Sequence, residues 1–146
     1  MPTAGRLVGA LTFMAMAYVV TQIMIPLFPD SGAPRLFLEI NLLAAVIAGW
    51  ITLGSRAGTG VVNAFANALT ALAVFAFWMF FLHACGEMLE EAFRKQYDGP
   101  VEAIVGVFEL MIDLGKRLLV PETLAILFGG AFLGSFITEY FARNYR

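Results

Sequence analysis

The sequence predicts an all-α integral membrane bundle made of four transmembrane helices plus one amphipathic helix at about residues 101–120. The chain has 146 residues, of which 60% are hydrophobic and only 14% are charged. A soluble domain of average composition is about 25% charged. A chain this short cannot hide so much apolar side chain in its own core, because small domains keep a large surface for their volume. The lipid bilayer is therefore the expected solvent for the excess, and the length predicts a single domain, residues 1–146.

The charged residues are concentrated in one stretch of the chain. Twelve of the twenty lie between Glu87 and Glu122, so we interpret residues 85–122 as a polar hinge in an otherwise membrane-embedded chain. The net charge of −2 argues against nucleic acid as a partner, because that partner requires a basic surface. The single cysteine, Cys85, excludes an intramolecular disulfide.

The first two predicted spans are residues 7–27 and 36–53. No charge lies between Arg6 and Asp30, and at about 1.5 Å per residue the first run crosses a hydrocarbon core of roughly 30 Å. That run is longer than the core of a secretory signal, so we interpret it as a retained span. The second span carries Glu39 near its start, where a carboxylate can reach the headgroups or another helix. A tight loop is predicted at residues 54–60.

The third predicted span is residues 61–84, within a run that is uncharged from Ala57 to Gly86. We expect this helix to continue into water as far as Tyr97. The sequence Tyr-Asp-Gly-Pro at residues 97–100 then predicts a stop, with Asp98 placed to cap the next helix.

The last predicted span is residues 123–140, and it contains a GxxxG motif at Gly130 and Gly134. This motif marks a close helix contact, either within the chain or between copies, so a homo-oligomer or a partner helix is expected there beside the lipid bilayer. Four spans place both termini on one side of the membrane. The short basic loop at Arg56 favours the cytoplasmic side, which predicts a multi-pass protein of the bacterial inner membrane.

The predicted helix at residues 101–120 is amphipathic. At about 100° per residue its charged residues fall in one narrow stripe, and apolar residues fill the remaining arc. The stripe consists of Glu102, Glu109, Asp113, Lys116 and Arg117. Three carboxylates argue against a lipid-exposed crossing. Either the helix lies in the interface plane with its apolar side down, which we favour, or it packs in the bundle with its stripe facing a wet cavity.

The sequence contains no P-loop, dinucleotide fingerprint, HExxH motif or nucleophile elbow, so we predict neither an enzyme nor a resident cofactor. Two polar groups of residues remain. His83 and Glu87 are four apart and project on one helical face, where they can hold a divalent metal or relay a proton. Glu109 and Asp113 complete a metal set with them if the turn at residues 98–99 folds the helices together, and Glu102 would join the same cation or proton site. The alternative is a hydrogen-bonding histidine beside a solvated polar stripe.

Several polar segments resemble the TrgA family, small bacterial inner-membrane proteins associated with tellurite resistance. They are residues 1–7, 53–58, 81–83, 87–89, 97–103 (Tyr-Asp-Gly-Pro-Val-Glu-Ala) and 107–111 (Val-Phe-Glu-Leu-Met). The resemblance covers most of the chain and implies a multispan protein connected with tolerance of metalloid oxyanions. It implies no catalytic residues. The predicted spans themselves contain no Arg or Lys to receive a dianion, so two hypotheses stand: a non-enzymatic tellurite-tolerance protein, and a membrane metal- or proton-binding protein.

Overall fold

A computed structural model of the chain describes residues 4–28, 32–93 and 99–144. These residues form helices and no strand, and four of the five helices are long and apolar enough to cross a membrane. The predicted all-α membrane bundle with one amphipathic helix is therefore confirmed. The spanning helices are α1 (Ala4–Leu27), α2 (Phe37–Arg56), α3 (Val61–Phe93) and α5 (Pro121–Asn144), and the amphipathic helix is α4 (Pro100–Leu118).

The helix boundaries follow the charge-free runs with one difference. The predicted loop at residues 54–60 begins too early, because Gly54–Arg56 is helical and continues α2. The helix α3 continues past residue 84 to Phe93, as predicted, and its 33 residues reach about 50 Å, which exceeds a hydrocarbon core of about 30 Å. The predicted cap Asp98 lies outside the described residues, whereas Pro100 begins α4 at a position that suits proline.

The helices α1 and α2 approach each other most closely at glycines. A Cβ atom at Gly9 would lie 2.8 Å from the carbonyl oxygen of Gly49. Side chains at Gly49 and Gly54 would overlap the backbones of Gly9 and Arg6. Only residues without a side chain allow the two backbones to come this close. Part of the contact lies at Gly49–Leu53, where α2 forms a π-helical turn, which is wider than an α-helical turn.

The predicted GxxxG motif of α5 faces α1 within the same chain. A Cβ atom at Gly130 would meet the side chain of Met16, and one at Gly134 would lie 3.2 Å from Thr12 Oγ1. The neighbouring Gly129 has no atom within 4 Å of the position that its Cβ would occupy. Association between copies through this helix remains a prediction. Gly129 is the glycine of α5 whose surface is open to contact another copy.

The carboxylate of Glu139 joins α5 to the loop between α2 and α3. Glu139 is buried, and its two oxygens accept hydrogen bonds from the backbone N–H groups of Gly58 at 2.6 Å and Gly60 at 2.7 Å. Both glycines adopt positive φ angles that other residues rarely adopt. Because Gly60 directly precedes α3, the negative charge also lies at the favourable end of that helix.

The amphipathic helix α4 runs back along α3. Its Gly106 lines a cavity with Glu91, and Leu119, just past its end, lines a groove with Leu72. Leu114 and Leu118 belong to the same buried core as residues of the spanning helices. The structure therefore corrects our preference for a helix lying in the interface plane and supports packing in the bundle, because the apolar arc is wide enough to reach α3.

That apolar arc divides into two faces. Val107, Leu114 and Leu118 are buried, whereas Ile104, Phe108 and Ile112 are each more than half exposed. At about 100° per residue the exposed residues lie on the arc between the packed face and the charged stripe. In a membrane protein such an exposed apolar face is suited to lipid.

Substituting Gly49 with alanine is expected to lower the free energy of unfolding by about 1–3 kcal/mol, because the new methyl group forces two backbones apart. The matched control is Gly129→Ala, whose methyl group enters open space and should cost nothing. The measurement is unfolding of the purified protein by dodecyl sulfate in mixed micelles, followed by helical circular dichroism. Equal stability of the two variants would contradict the close α1–α2 contact.

Candidate functional site

The polar residues that the sequence singled out border two different cavities rather than one. We call the first the mouth cavity; it has a volume of about 530 Å³ and is lined by Phe28, Arg35, His83, Glu87, Glu90 and Arg117 among others. The second, the acidic cavity, measures about 460 Å³ and is lined by Glu91, Glu102, Glu109 and Asp113 among others. The charge-free run of α3 ends at Glu87, which places the mouth cavity at the boundary of the membrane-embedded part.

The imidazole of His83 is held by a hydrogen-bond chain that crosses three helices. The hydroxyl of Thr21 in α1 donates to the carbonyl oxygen of Ala17 at 2.6 Å. The same oxygen accepts a hydrogen bond from Asn41 Nδ2 in α2 at 3.0 Å, which turns Asn41 Oδ1 towards His83 Nε2 in α3 at 2.9 Å. Thr21, Asn41 and His83 are all buried.

This chain assigns the protonation of the imidazole. Because Thr21 Oγ1 already donates to Ala17, it must accept from the amide of Asn41, and the amide oxygen is left for His83. Nε2 therefore carries a proton and donates it to Asn41 Oδ1. The ring of Phe37, 4.7 Å from the imidazole between centroids, packs against it.

The charged residues of the mouth cavity come from different elements. Glu87 and Glu90 lie on α3, Arg117 lies at the end of α4, and Arg35 lies just before α2. The carboxylates thus come from one helix, and the guanidinium groups come from two other elements that line the same cavity. Arg117 is close enough to Glu87 to interact with it electrostatically.

The acidic cavity belongs to the charged stripe of α4. Asp113 forms a salt bridge with Lys116 at 3.6 Å, and both side chains are more than 70% exposed. An exposed pair of this kind contributes at most about 1 kcal/mol to stability. The stripe therefore has the character of a solvated helix face with an acidic potential.

The four residues predicted to bind a metal do not converge. His83 and Glu87 line the mouth cavity, whereas Glu109 and Asp113 line the acidic cavity with Glu102. In residues 4–28, 32–93 and 99–144, no group of three or more His, Cys, Asp or Glu side chains is arranged to hold a metal ion. His83 instead occupies the hydrogen-bonding role that was the alternative.

Sequence reasoning missed three residues that shape the mouth cavity. Asn41 was visible as an amide near the start of the second span, but nothing local pairs it with His83. Arg35 and Arg117 lie outside the predicted spans, so their approach to one cavity depends on how α2 and α4 pack against α3. Glu139 was missed as well, although a lone carboxylate in a span is expected to have a partner.

Comparisons of the chain with protein-family models, with curated proteins and with solved structures find no match. The functional argument therefore depends on the cavities, the charges and the hydrogen bonds of the chain itself.

Replacing Asn41 with leucine is expected to lower the free energy of unfolding by about 1–3 kcal/mol, because the Nε2–H group of His83 then has no acceptor in a buried site. The control is Asn63→Leu, an exposed amide that donates only to the carbonyl oxygen of Thr59 and should change stability by less than about 0.5 kcal/mol. Chemical unfolding of both variants is the measurement. In a His83→Leu background the Asn41 substitution should cost less, and equal costs in the two backgrounds would contradict the pairing.

Proposed function

We propose that this chain is a multi-pass protein of the bacterial inner membrane that contributes to tellurite tolerance by binding a small oxyanion in the mouth cavity, without catalysing a reaction. The observation that carries the proposal is the approach of Arg35 and Arg117 to one cavity beside His83. Guanidinium groups are the side chains best suited to oxyanions, because their planar N–H groups can donate two parallel hydrogen bonds.

The spans contain no buried Arg or Lys for a dianion, but the exposed Arg35 before α2 and Arg117 at the end of α4 both line the mouth cavity, which supports the proposal. The resemblance of the polar segments to the TrgA family supports tellurite as the physiological context. The basic loop at Arg56 supports cytoplasmic termini.

The alternative function is metal or proton binding through His83, Glu87, Glu102, Glu109 and Asp113. Division of these residues between two cavities weighs against a shared metal site. A proton-binding role retains one supporting observation, since His83 and Glu87 line the same cavity.

The test is the tellurite concentration that stops growth of a strain lacking the gene, complemented with wild type or with variants at equal membrane levels. Wild type should restore tolerance, and Arg35→Gln combined with Arg117→Gln should not, because both guanidinium groups are lost. The matched control is Lys116→Gln, which removes the adjacent exposed cation that pairs with Asp113. Lys116→Gln should restore tolerance fully.

Two results would contradict the proposal. Full tolerance in the double arginine variant would show that the function does not depend on the mouth cavity. Failure of wild type to restore tolerance would show that the protein does not contribute to tellurite tolerance.

A further inference from the structure

The mouth cavity is lined by charges of both signs. Two carboxylates, Glu87 and Glu90, project from consecutive turns of α3. Two guanidinium groups, Arg35 and Arg117, reach the cavity from elements packed against α3. The four formal charges cancel, and an oxyanion bound at the two guanidinium groups leaves both carboxylates without a cationic partner.

These opposite charges do not neutralise one another by direct contact. Within the part of the chain that the structure describes, the ion pair closer than 4 Å is Lys116–Asp113, on the outer face of α4. Arg117 interacts electrostatically with Glu87 without forming an ion pair within 4 Å. Charges that served only to balance one another would form direct ion pairs. These charges instead line a cavity of about 530 Å³, which is within the usual range for small-ligand sites.

A ligand with a single charge cannot pair with both the carboxylates and the guanidinium groups. An anion placed against Arg35 and Arg117 would face the carboxylates of Glu87 and Glu90, and a lone cation would face the guanidinium groups. A ligand with an oxyanion at one end and an ammonium group at the other would form charge-assisted hydrogen bonds with both the guanidinium groups and the carboxylates. The position of the cavity at the end of the charge-free run of α3 places it at the level of lipid headgroups.

We infer that the mouth cavity binds a phosphoethanolamine group, with the phosphate at Arg35 and Arg117 and the ammonium group at Glu87 and Glu90. The inference rests on the proposed function for the oxyanion half of the site and adds the ammonium half. The buried imidazole of His83, fixed by Asn41, also lines the cavity. The group can come from a free phosphoethanolamine or from the headgroup of phosphatidylethanolamine.

The experiment measures binding to the full chain, purified in detergent and freed of lipid. Calorimetric titrations use phosphoethanolamine, inorganic phosphate, tellurite and ethanolamine as separate probes. Native mass spectrometry compares phosphatidylethanolamine with phosphatidylglycerol. We expect the phosphoethanolamine group, free or as a headgroup, to bind at least about tenfold more tightly than phosphate or phosphatidylglycerol, because one further charge-assisted hydrogen bond contributes about that factor.

Variants separate the two halves of the site. Glu87→Gln, with Glu90→Gln as a second variant, should remove the preference for phosphoethanolamine over phosphate and leave phosphate binding unchanged. Arg117→Gln should weaken both. Glu109→Gln and Lys116→Gln, on the outer face of α4, should change neither, and a thermal unfolding curve of each variant verifies that it is folded.

The outcomes distinguish this inference from the proposed function. If phosphate or tellurite binds as tightly as phosphoethanolamine, or if Glu87→Gln leaves their ratio unchanged, the zwitterionic ligand is wrong and oxyanion binding stands. If no probe and no lipid binds, both are wrong. Binding of phosphatidylethanolamine without free phosphoethanolamine supports the inference and identifies the lipid as the source, whereas the reverse result supports it with a soluble source.

Discussion

The hydrogen-bond chain from Thr21 through Asn41 to His83 is the interaction on which the rest of the structure depends. It joins α1, α2 and α3 at the end of the bundle where the mouth cavity opens. In an apolar surrounding an unpaired amide or imidazole is costly, so the chain fixes which faces of these helices meet. The same bonds hold the imidazole in one tautomer, so that a single constraint serves both the packing and the site.

Packing at the other end of the bundle relies on the absence of side chains. Gly9, Gly49 and Gly54 bring the backbones of α1 and α2 together, and Glu139 ties α5 to the loop before α3. Lipid provides no hydrophobic drive for helices to associate, so close backbone contact and buried polar bonds are the terms that remain. Helix α1 is thereby the shared partner of α2 and α5, and α4 packs along α3.

The fold could be predicted from the sequence because each span is a local, charge-free run and the stripe of α4 is a local periodicity. Most contacts between helices could not. The GxxxG motif at Gly130 and Gly134 did predict a close contact, and Gly5 and Gly9 have the same spacing and could have indicated a second one. The candidate site was predicted in part. His83 and Glu87 do share a cavity, but Arg35 reaches it from a distant segment, and the carboxylates of α4 face another cavity. Such convergence depends on helix packing that no local pattern encodes.

The most direct test of this account uses the fact that His83 is the only histidine of the chain. Solid-state ¹⁵N NMR of histidine-labelled protein in bilayers reports the protonation of each ring nitrogen separately. The account predicts a proton on Nε2, because Asn41 Oδ1 accepts the Nε2–H bond. A ring whose Nε2 carries no proton, with the single proton on Nδ1, would contradict the Thr21–Asn41–His83 chain and the arrangement of helices built on it.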